Sequence, residues 1–276
     1  MVQQNLSNDA LQTSGRKIFF IAPDKKNLPE SCLVNLLSQG YETYLIELHN
    51  STEAYDLQYE IKNIATAFPG SIVFFNVSAS LGAVNWKKLL ADIHAKYSSS
   101  LLLGAMGNGS STEAADFSNL ECGYIALDSD VKKNETLLVS MFNQYSAQGR
   151  RTMVRAKCDN SSGITFSFDK QAFSAKILDV NISCFSVMFD ETVKRLAIYD
   201  KIANATININ GYRFNSDVVL LMRSQRDGKP LYVFMFIKPD GSPDLESETS
   251  EKLCNKIYEM TTESCNAILH GFEVGQ

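Results

Sequence analysis

The sequence predicts two domains of different class, an α/β domain followed by an antiparallel β-barrel that ends in a helix. Short apolar segments alternate with helical patterns in the first half of the chain, whereas residues 153–237 carry β patterns throughout. The chain has 276 residues, of which 45% are hydrophobic and 21% charged, and this is enough to bury two ordinary cores. We therefore assign residues 1–15 to a flexible polar tail, residues 16–146 to the first domain and residues 147–276 to the second.

The α/β prediction starts from residues 17–22, KIFFIA, an apolar run that is too short for a helix and ends at a Pro-Asp turn. Such a run predicts a buried strand. Residues 28–39 then place leucines at helical spacing before Gly40, which predicts a helix and its end. The same alternation predicts strands at residues 43–48, 71–77, 100–104 and 123–127, and helices at residues 54–67, 85–97, 111–119 and 133–146.

Continuous apolar strands that alternate with helices require a parallel sheet, because right-handed crossovers place helices on both of its faces. Five strands and five helices predict a flavodoxin-like (βα)5 sheet. This layout, over residues 16–146, resembles the receiver domain of response regulators.

The receiver resemblance implies a set of four functional positions. A working receiver has acidic residues after its first strand, a phosphoryl-accepting aspartate ending the third, a hydroxyl ending the fourth and a lysine ending the fifth. Asp24 fits the first position, but Asn76, Gly104-Ala105 and Leu127 stand at the others. An amide is not a nucleophilic carboxylate. We therefore predict a pseudo-receiver that is retained for packing, for dimerisation or for docking a partner.

The second domain is predicted from six short β patterns separated by turn residues such as Asn210-Gly211 and Asp227-Gly228. Strands joined by hairpins in this way predict a six-stranded antiparallel barrel. A carboxy-terminal helix follows, with Ser242-Pro243 at its start and apolar residues at helical spacing. This helix either covers the barrel or forms a dimer contact. The six predicted strands are residues 164–168, 174–180, 185–189, 205–209, 218–222 and 231–237.

Arginines are concentrated where the two domains meet in the sequence. Seven of the eight arginines follow residue 149, and Arg150, Arg151 and Arg155 fall within six residues. Guanidinium groups bind phosphate oxygens in bidentate pairs and stack on purine faces, so the cluster suits a nucleotide with several phosphates. A basic linker with no ligand is the alternative interpretation of the arginines taken alone.

The arginine cluster and a second motif together resemble PilZ domains, which bind cyclic di-GMP. Arg150, Arg151 and Arg155 match RRxxxR, whose arginines in that family grip the phosphates and stack on or hydrogen-bond the guanines. Asn181 and Ser183 match the first positions of D/N-x-S-x-x-G, which implies contacts with guanine edges and phosphate. Ser186 occupies the glycine position and departs from the pattern. Glycine there would permit close backbone approach or a positive φ.

The PilZ resemblance implies a bacterial, non-enzymatic, cytoplasmic second-messenger receptor that takes part in processes such as motility. Cyclic di-GMP would bind Arg150, Arg151, Arg155, Asn181, Ser183 and Ser186, order the RRxxxR segment and change the arrangement of the domains. The alternative is a degenerate receiver–PilZ scaffold that docks a sensor kinase or motility component without nucleotide.

Several other kinds of site and partner are not predicted. The histidines are isolated and the six cysteines form no CxxC pair, so we expect no catalytic residue, cofactor or metal site. A net charge of −5 and short apolar runs predict no binding to DNA or membranes. We expect a protein partner at the receiver-like domain, and homodimerisation is left open.

Overall fold

The computed structural model describes residues 15–47, 54–79, 85–109, 111–190, 193 and 196–271. Residues 1–14 of the predicted tail therefore lie outside the described residues. The chain divides into two compact units, the first comprising Met1–Val154 with Cys265–Gln276 and the second Arg155–Ser264.

The first unit is built on a five-stranded parallel sheet in the order β2-β1-β3-β4-β5. This is the flavodoxin-like strand order, and it confirms the predicted (βα)5 fold. The strands are β1 (Ile18–Ile21), β2 (Thr43–Ile46), β3 (Ile72–Asn76), β4 (Leu102–Gly107) and β5 (Tyr124–Ala126). The helices are α1 (Glu30–Ser38), α2 (Ala54–Ala67), α3 (Trp86–Tyr97), α4 (Ser111–Asp116) and α5 (Val131–Gln144).

Both faces of this sheet are buried, as continuous apolar strands require. On one face, Phe20 and Phe74 of the central strands pack on Phe142 of α5, with ring centroids 6.4 and 6.5 Å from it. On the other face, Phe75 packs on Trp86 of α3. Neighbouring residues of a strand thus face opposite helix layers, which explains why the strands show no polar alternation.

The fourth strand differs from its prediction. It continues to Gly107 instead of ending at residue 104. Gly104 thus lies within the strand, and close packing explains why a glycine stands there. A Cβ added at Gly104 would lie 2.5 Å from Phe74 Cε1 and 2.9 Å from Cys122 Cβ. The glycine therefore serves close packing under Phe74 in the middle of a strand.

The second unit is an antiparallel barrel. Six strands follow one another in the order β8-β7-β10-β11-β12-β9, and pairing of β8 with β9 closes the ring. This confirms the predicted six-stranded barrel. A seventh, two-residue strand, β6, also pairs with β8. The strands are β6 (Ala156–Lys157), β7 (Gly163–Phe168), β8 (Gln171–Val180), β9 (Cys184–Met188), β10 (Lys201–Ile209), β11 (Tyr212–Arg226) and β12 (Lys229–Ile237).

The predicted hairpin turns join these strands. Asn210-Gly211 has φ values of 44° and 88°, and Asp227-Gly228 has values of 51° and 75°. Two consecutive positive φ angles are the mark of a type I′ turn, whose twist matches that of the flanking strands. The barrel interior is aromatic, with Phe185 packed on both Phe234 and Phe236.

The predicted carboxy-terminal helix is present as α6 (Ser247–Leu269), but its predicted start at Ser242-Pro243 is wrong. Those residues precede the helix, where Oγ of Ser242 donates to Asp240 and Pro243 forms an isolated bridge with Ile237. Leu253 and Ile257 are fully buried on it, as the helical spacing predicts. Its last residues belong to the first unit, where Cys265 and Leu269 join the hydrophobic core. None of the helices described here has the length and apolar character that crossing a membrane requires.

Candidate functional site

Asn76, which stands where the receiver resemblance implies a phosphoacceptor, is an amide that the fold uses internally. Asn76 ends β3 and is 7% exposed. Its Nδ2 donates to the carbonyl oxygen of Ala22 at 2.9 Å, and its Oδ1 accepts from the backbone N–H of Ser78 at 3.2 Å. The side chain thus ties two strand ends together, a role that needs a donor and an acceptor and that a carboxylate would not fill.

The other positions that the receiver resemblance implies also lack the required groups. Because β4 ends at Gly107, Gly104-Ala105 is not the end of the strand, and Met106 and Gly107 stand there instead without a hydroxyl. Leu127 follows β5 and is buried. Among the described residues, no group of three or more His, Cys, Asp or Glu side chains could hold a metal ion.

In the second unit, strand pairing brings Arg155, the last arginine of the first sequence motif, to the second motif. Arg155 directly precedes β6, and β6 pairs with the end of β8 so that Ala156 faces Val180 and Lys157 faces Asp179. As a result, Nη1 of Arg155 lies 3.4 Å from Oδ1 of Asp179. The third arginine of the RRxxxR pattern is thereby anchored beside the turn that carries Asn181 and Ser183.

Asp179 is a residue of this site that the sequence analysis missed. Its second carboxylate oxygen, Oδ2, accepts a hydrogen bond from Oγ of Ser186 at 2.7 Å. Ser186 lies directly opposite Asp179 in the β8–β9 pairing. The signal available in the sequence was a carboxylate near the end of the predicted strand 174–180, two residues before Asn181 and downstream of the arginines.

Ser186 fits the structure although it departs from the glycine of the motif. It lies within β9 and is 4% exposed, and it is not among the described residues with a positive φ. The backbone therefore does not require glycine at this position. The hydroxyl, which glycine lacks, bonds to Asp179 as described above.

Asn181 organises the turn between β8 and β9. Its Oδ1 accepts from the backbone N–H groups of Ser183, at 2.8 Å, and Cys184, at 2.7 Å. Its own N–H donates to the carbonyl oxygen of Cys184 at 2.8 Å. An Asx side chain that caps its own turn in this way fixes the loop conformation. Ser183 is half-buried at this turn, and its carbonyl oxygen accepts from the N–H of Phe236.

The predicted ligand residues therefore divide into two groups. Arg155, Asn181, Ser183 and Ser186 are gathered in the second unit around the β8–β9 turn. Arg150 and Arg151 are exposed and belong to the first unit. Their binding roles remain predictions.

The charge of Arg155 affects the pKa of Cys184, which follows the turn. Burial raises the pKa of the Cys184 thiol above its usual value, and the positive charge of Arg155 opposes that shift. Arg155 thus contributes a positive potential at the turn, which favours negatively charged groups there.

Replacing Asn181 by alanine should destabilise the barrel. The N–H groups of Ser183 and Cys184 would lose their side-chain acceptor, at a cost of about 1–3 kcal/mol in the free energy of unfolding. Asn181→Asp keeps the acceptor and serves as the matched control, and urea denaturation measures all three proteins. Equal stability of Asn181→Ala and wild type would show that the turn does not depend on this side chain.

Removing the positive charge of Arg155 should raise the pKa of Cys184 further, because the thiolate loses a favourable neighbour. In Arg155→Gln we expect the alkylation of Cys184, followed by peptide mass spectrometry, to reach half its maximal rate at a higher pH than in wild type. Cys254, whose pKa is raised to about 11 by burial alone, is the internal control and should not change. An unshifted Cys184 profile would contradict the electrostatic contact.

No family model matches this sequence, and no curated protein matches it. Solved structures do resemble it. The PilZ domain of YcgR from Escherichia coli with c-di-GMP is 18% identical, with a TM-score of 0.35, and the match covers 42% of this chain and 95% of that one. MrkH from K. pneumonia in its apo state is 13% identical, with a TM-score of 0.35 and coverages of 44% and 56%.

A third similar structure is the PlzA protein of Borreliella burgdorferi in complex with c-di-GMP, which is 12% identical with a TM-score of 0.30. The match covers 51% of this chain and 60% of PlzA. The chain thus aligns with little more than half of MrkH or PlzA. A PilZ domain is therefore among the solved structures that this chain resembles.

Proposed function

We propose that this chain is a non-enzymatic receptor for cyclic di-GMP and that the ligand binds beside the β8–β9 turn of the barrel. The observation that carries the proposal is the placement of Arg155, which pairs with Asp179 next to the turn built by Asn181 and Ser183. Arg155 of the first motif and Asn181 and Ser183 of the second, which are separate in the sequence, therefore lie at one corner of the barrel.

The chemistry of this corner suits a cyclic dinucleotide. The Arg155 side chain is 41% exposed, so its guanidinium is accessible to phosphate oxygens, which it can bind in bidentate fashion. Asn181 commits its amide oxygen to the turn, so its contribution to a ligand is assigned to the amide nitrogen. Ser183 offers a hydroxyl that donates and accepts. In YcgR and PlzA the bound molecule is c-di-GMP, and the same ligand is proposed here from the sequence patterns.

Arg150 and Arg151 enter the proposal through their sequence positions, five and four residues before Arg155. A ligand held by all three arginines would order the segment that contains them and so change the arrangement of the two units, as hinge-type switches do. We propose this rearrangement as the signal that a protein partner of the receiver-like unit detects, in bacterial second-messenger signalling that includes motility.

The alternative is a scaffold that docks a sensor kinase or motility component without nucleotide. Asn76 favours a non-catalytic role for the first unit, because the amide that replaces the phosphoacceptor also bonds Ala22 and Ser78. A partner interaction that is insensitive to cyclic di-GMP and to Arg151→Ala would support the scaffold.

Titration calorimetry with cyclic di-GMP tests the ligand. We expect heat of binding for the wild type and a loss of affinity of about tenfold or more in Arg155→Ala and Arg151→Ala, since a charge-assisted contact contributes about 1.5–3 kcal/mol. The matched control is Arg226→Ala, which removes an exposed arginine at the β11–β12 hairpin and should bind like the wild type. No heat with the wild type would exclude the proposed ligand.

Small-angle X-ray scattering tests the rearrangement separately. The scattering profile of the wild type should change on addition of cyclic di-GMP, and that of Arg151→Ala should not change at the same ligand concentration. Identical profiles with and without saturating ligand would contradict the rearrangement and leave ligand binding intact.

A further inference from the structure

Asp179 lies beside the guanidinium of Arg155, so an anionic ligand that binds this arginine would approach the carboxylate of Asp179. One oxygen of its carboxylate is 3.4 Å from Nη1 of Arg155. The other accepts the 2.7 Å hydrogen bond from Ser186. Both oxygens therefore have partners within the fold of the barrel itself, and one partner is the arginine that the sequence motif assigns to the ligand.

We propose that Asp179 is an internal counter-ion of Arg155 that lowers the affinity of the barrel for its anionic ligand, and that Ser186 is the residue that positions it. The inference rests on the proposed function. It assigns a role to Asp179, which lies outside the motif, and another to Ser186, which occupies the glycine position of the motif.

The charges explain the competition. A phosphate that approaches Arg155 must either displace the carboxylate from the guanidinium or bind beside a like charge, and both lower the affinity. Displacement is feasible, because the Arg155 and Asp179 side chains are 41% and 26% exposed and exposed ion pairs are weak. Two phosphate oxygens in bidentate geometry outcompete a single 3.4 Å contact.

Ser186 makes displacement harder. Its hydroxyl is buried and lies opposite Asp179 across the β8–β9 pair, so the hydrogen bond holds the carboxylate in one rotamer. A short bond from a hydroxyl to a carboxylate is of the strong, charge-assisted kind. A glycine at position 186, as the motif has it, would leave the carboxylate free to rotate away from an incoming phosphate.

Calorimetric titration of the full chain with cyclic di-GMP decides the matter. We expect Asp179→Asn to bind about fivefold more tightly than the wild type, the size expected when a partly exposed charge pair is removed. Ser186→Ala should also bind more tightly, by about twofold. The effect is smaller because the carboxylate of Asp179 can then rotate away from the ligand but keeps its negative charge. Thermal denaturation monitors the folding of each variant, and Ser186→Ala decides alone if Asp179→Asn does not fold.

The matched control is Asp190→Asn, which makes the same change in net charge. Asp190 is almost fully exposed and lies 3.6 Å from Lys229, and its substitution should leave the affinity unchanged. Tighter binding by Asp190→Asn and Asp179→Asn alike would show a general charge effect and overturn the inference. Unchanged or weaker binding by Asp179→Asn, with a wild type that binds, overturns the inference alone. Absence of heat from the wild type and every variant overturns the proposed function and the inference with it.

Discussion

The register of three strands, β6, β8 and β9, is the constraint on which the candidate site depends. Lys157 and Ser186 both stand opposite Asp179, one in each neighbouring strand. This register places Arg155 at the carboxylate and the Asn181 turn immediately beyond it. A shift of one residue would turn every side chain of a strand to the other face. The site is therefore a product of backbone pairing, and closure of the barrel between β8 and β9 holds that pairing in place.

The polar residues of the site serve the fold and the proposed ligand together. The amide oxygen of Asn181 accepts a hydrogen bond from a backbone N–H of the turn, and the hydroxyl of Ser186 donates one to Asp179. Buried polar groups need such partners, since an unsatisfied one is costly. The motif positions are thus structural as well as proposed ligand contacts, and loss of ligand binding in a variant has meaning only beside a measurement of its stability.

The first unit shows that a fold and its chemistry have separate requirements. Its parallel sheet needs apolar strands covered on both faces, and on one face Phe142 of α5 covers Phe20 and Phe74. Phosphotransfer needs a carboxylate, a hydroxyl and a lysine at strand ends. Asn76 and Leu127 stand at two of those positions, and neither is exposed or nucleophilic. The packing requirement is met without the chemical one.

The sequence by itself determined the two fold classes and the position of nearly every strand and helix, because burial of one face leaves a regular spacing of apolar residues within each segment. It also contained the residues of the two motifs. It did not determine that Gly104 lies in mid-strand, since the reason is the ring of Phe74 on an adjacent strand. Nor did it assign Asp179 to the site. The partners of Asp179 are 24 residues before it and 7 after it, and only the pairing of strands, a long-range property of the tertiary structure, brings the three together.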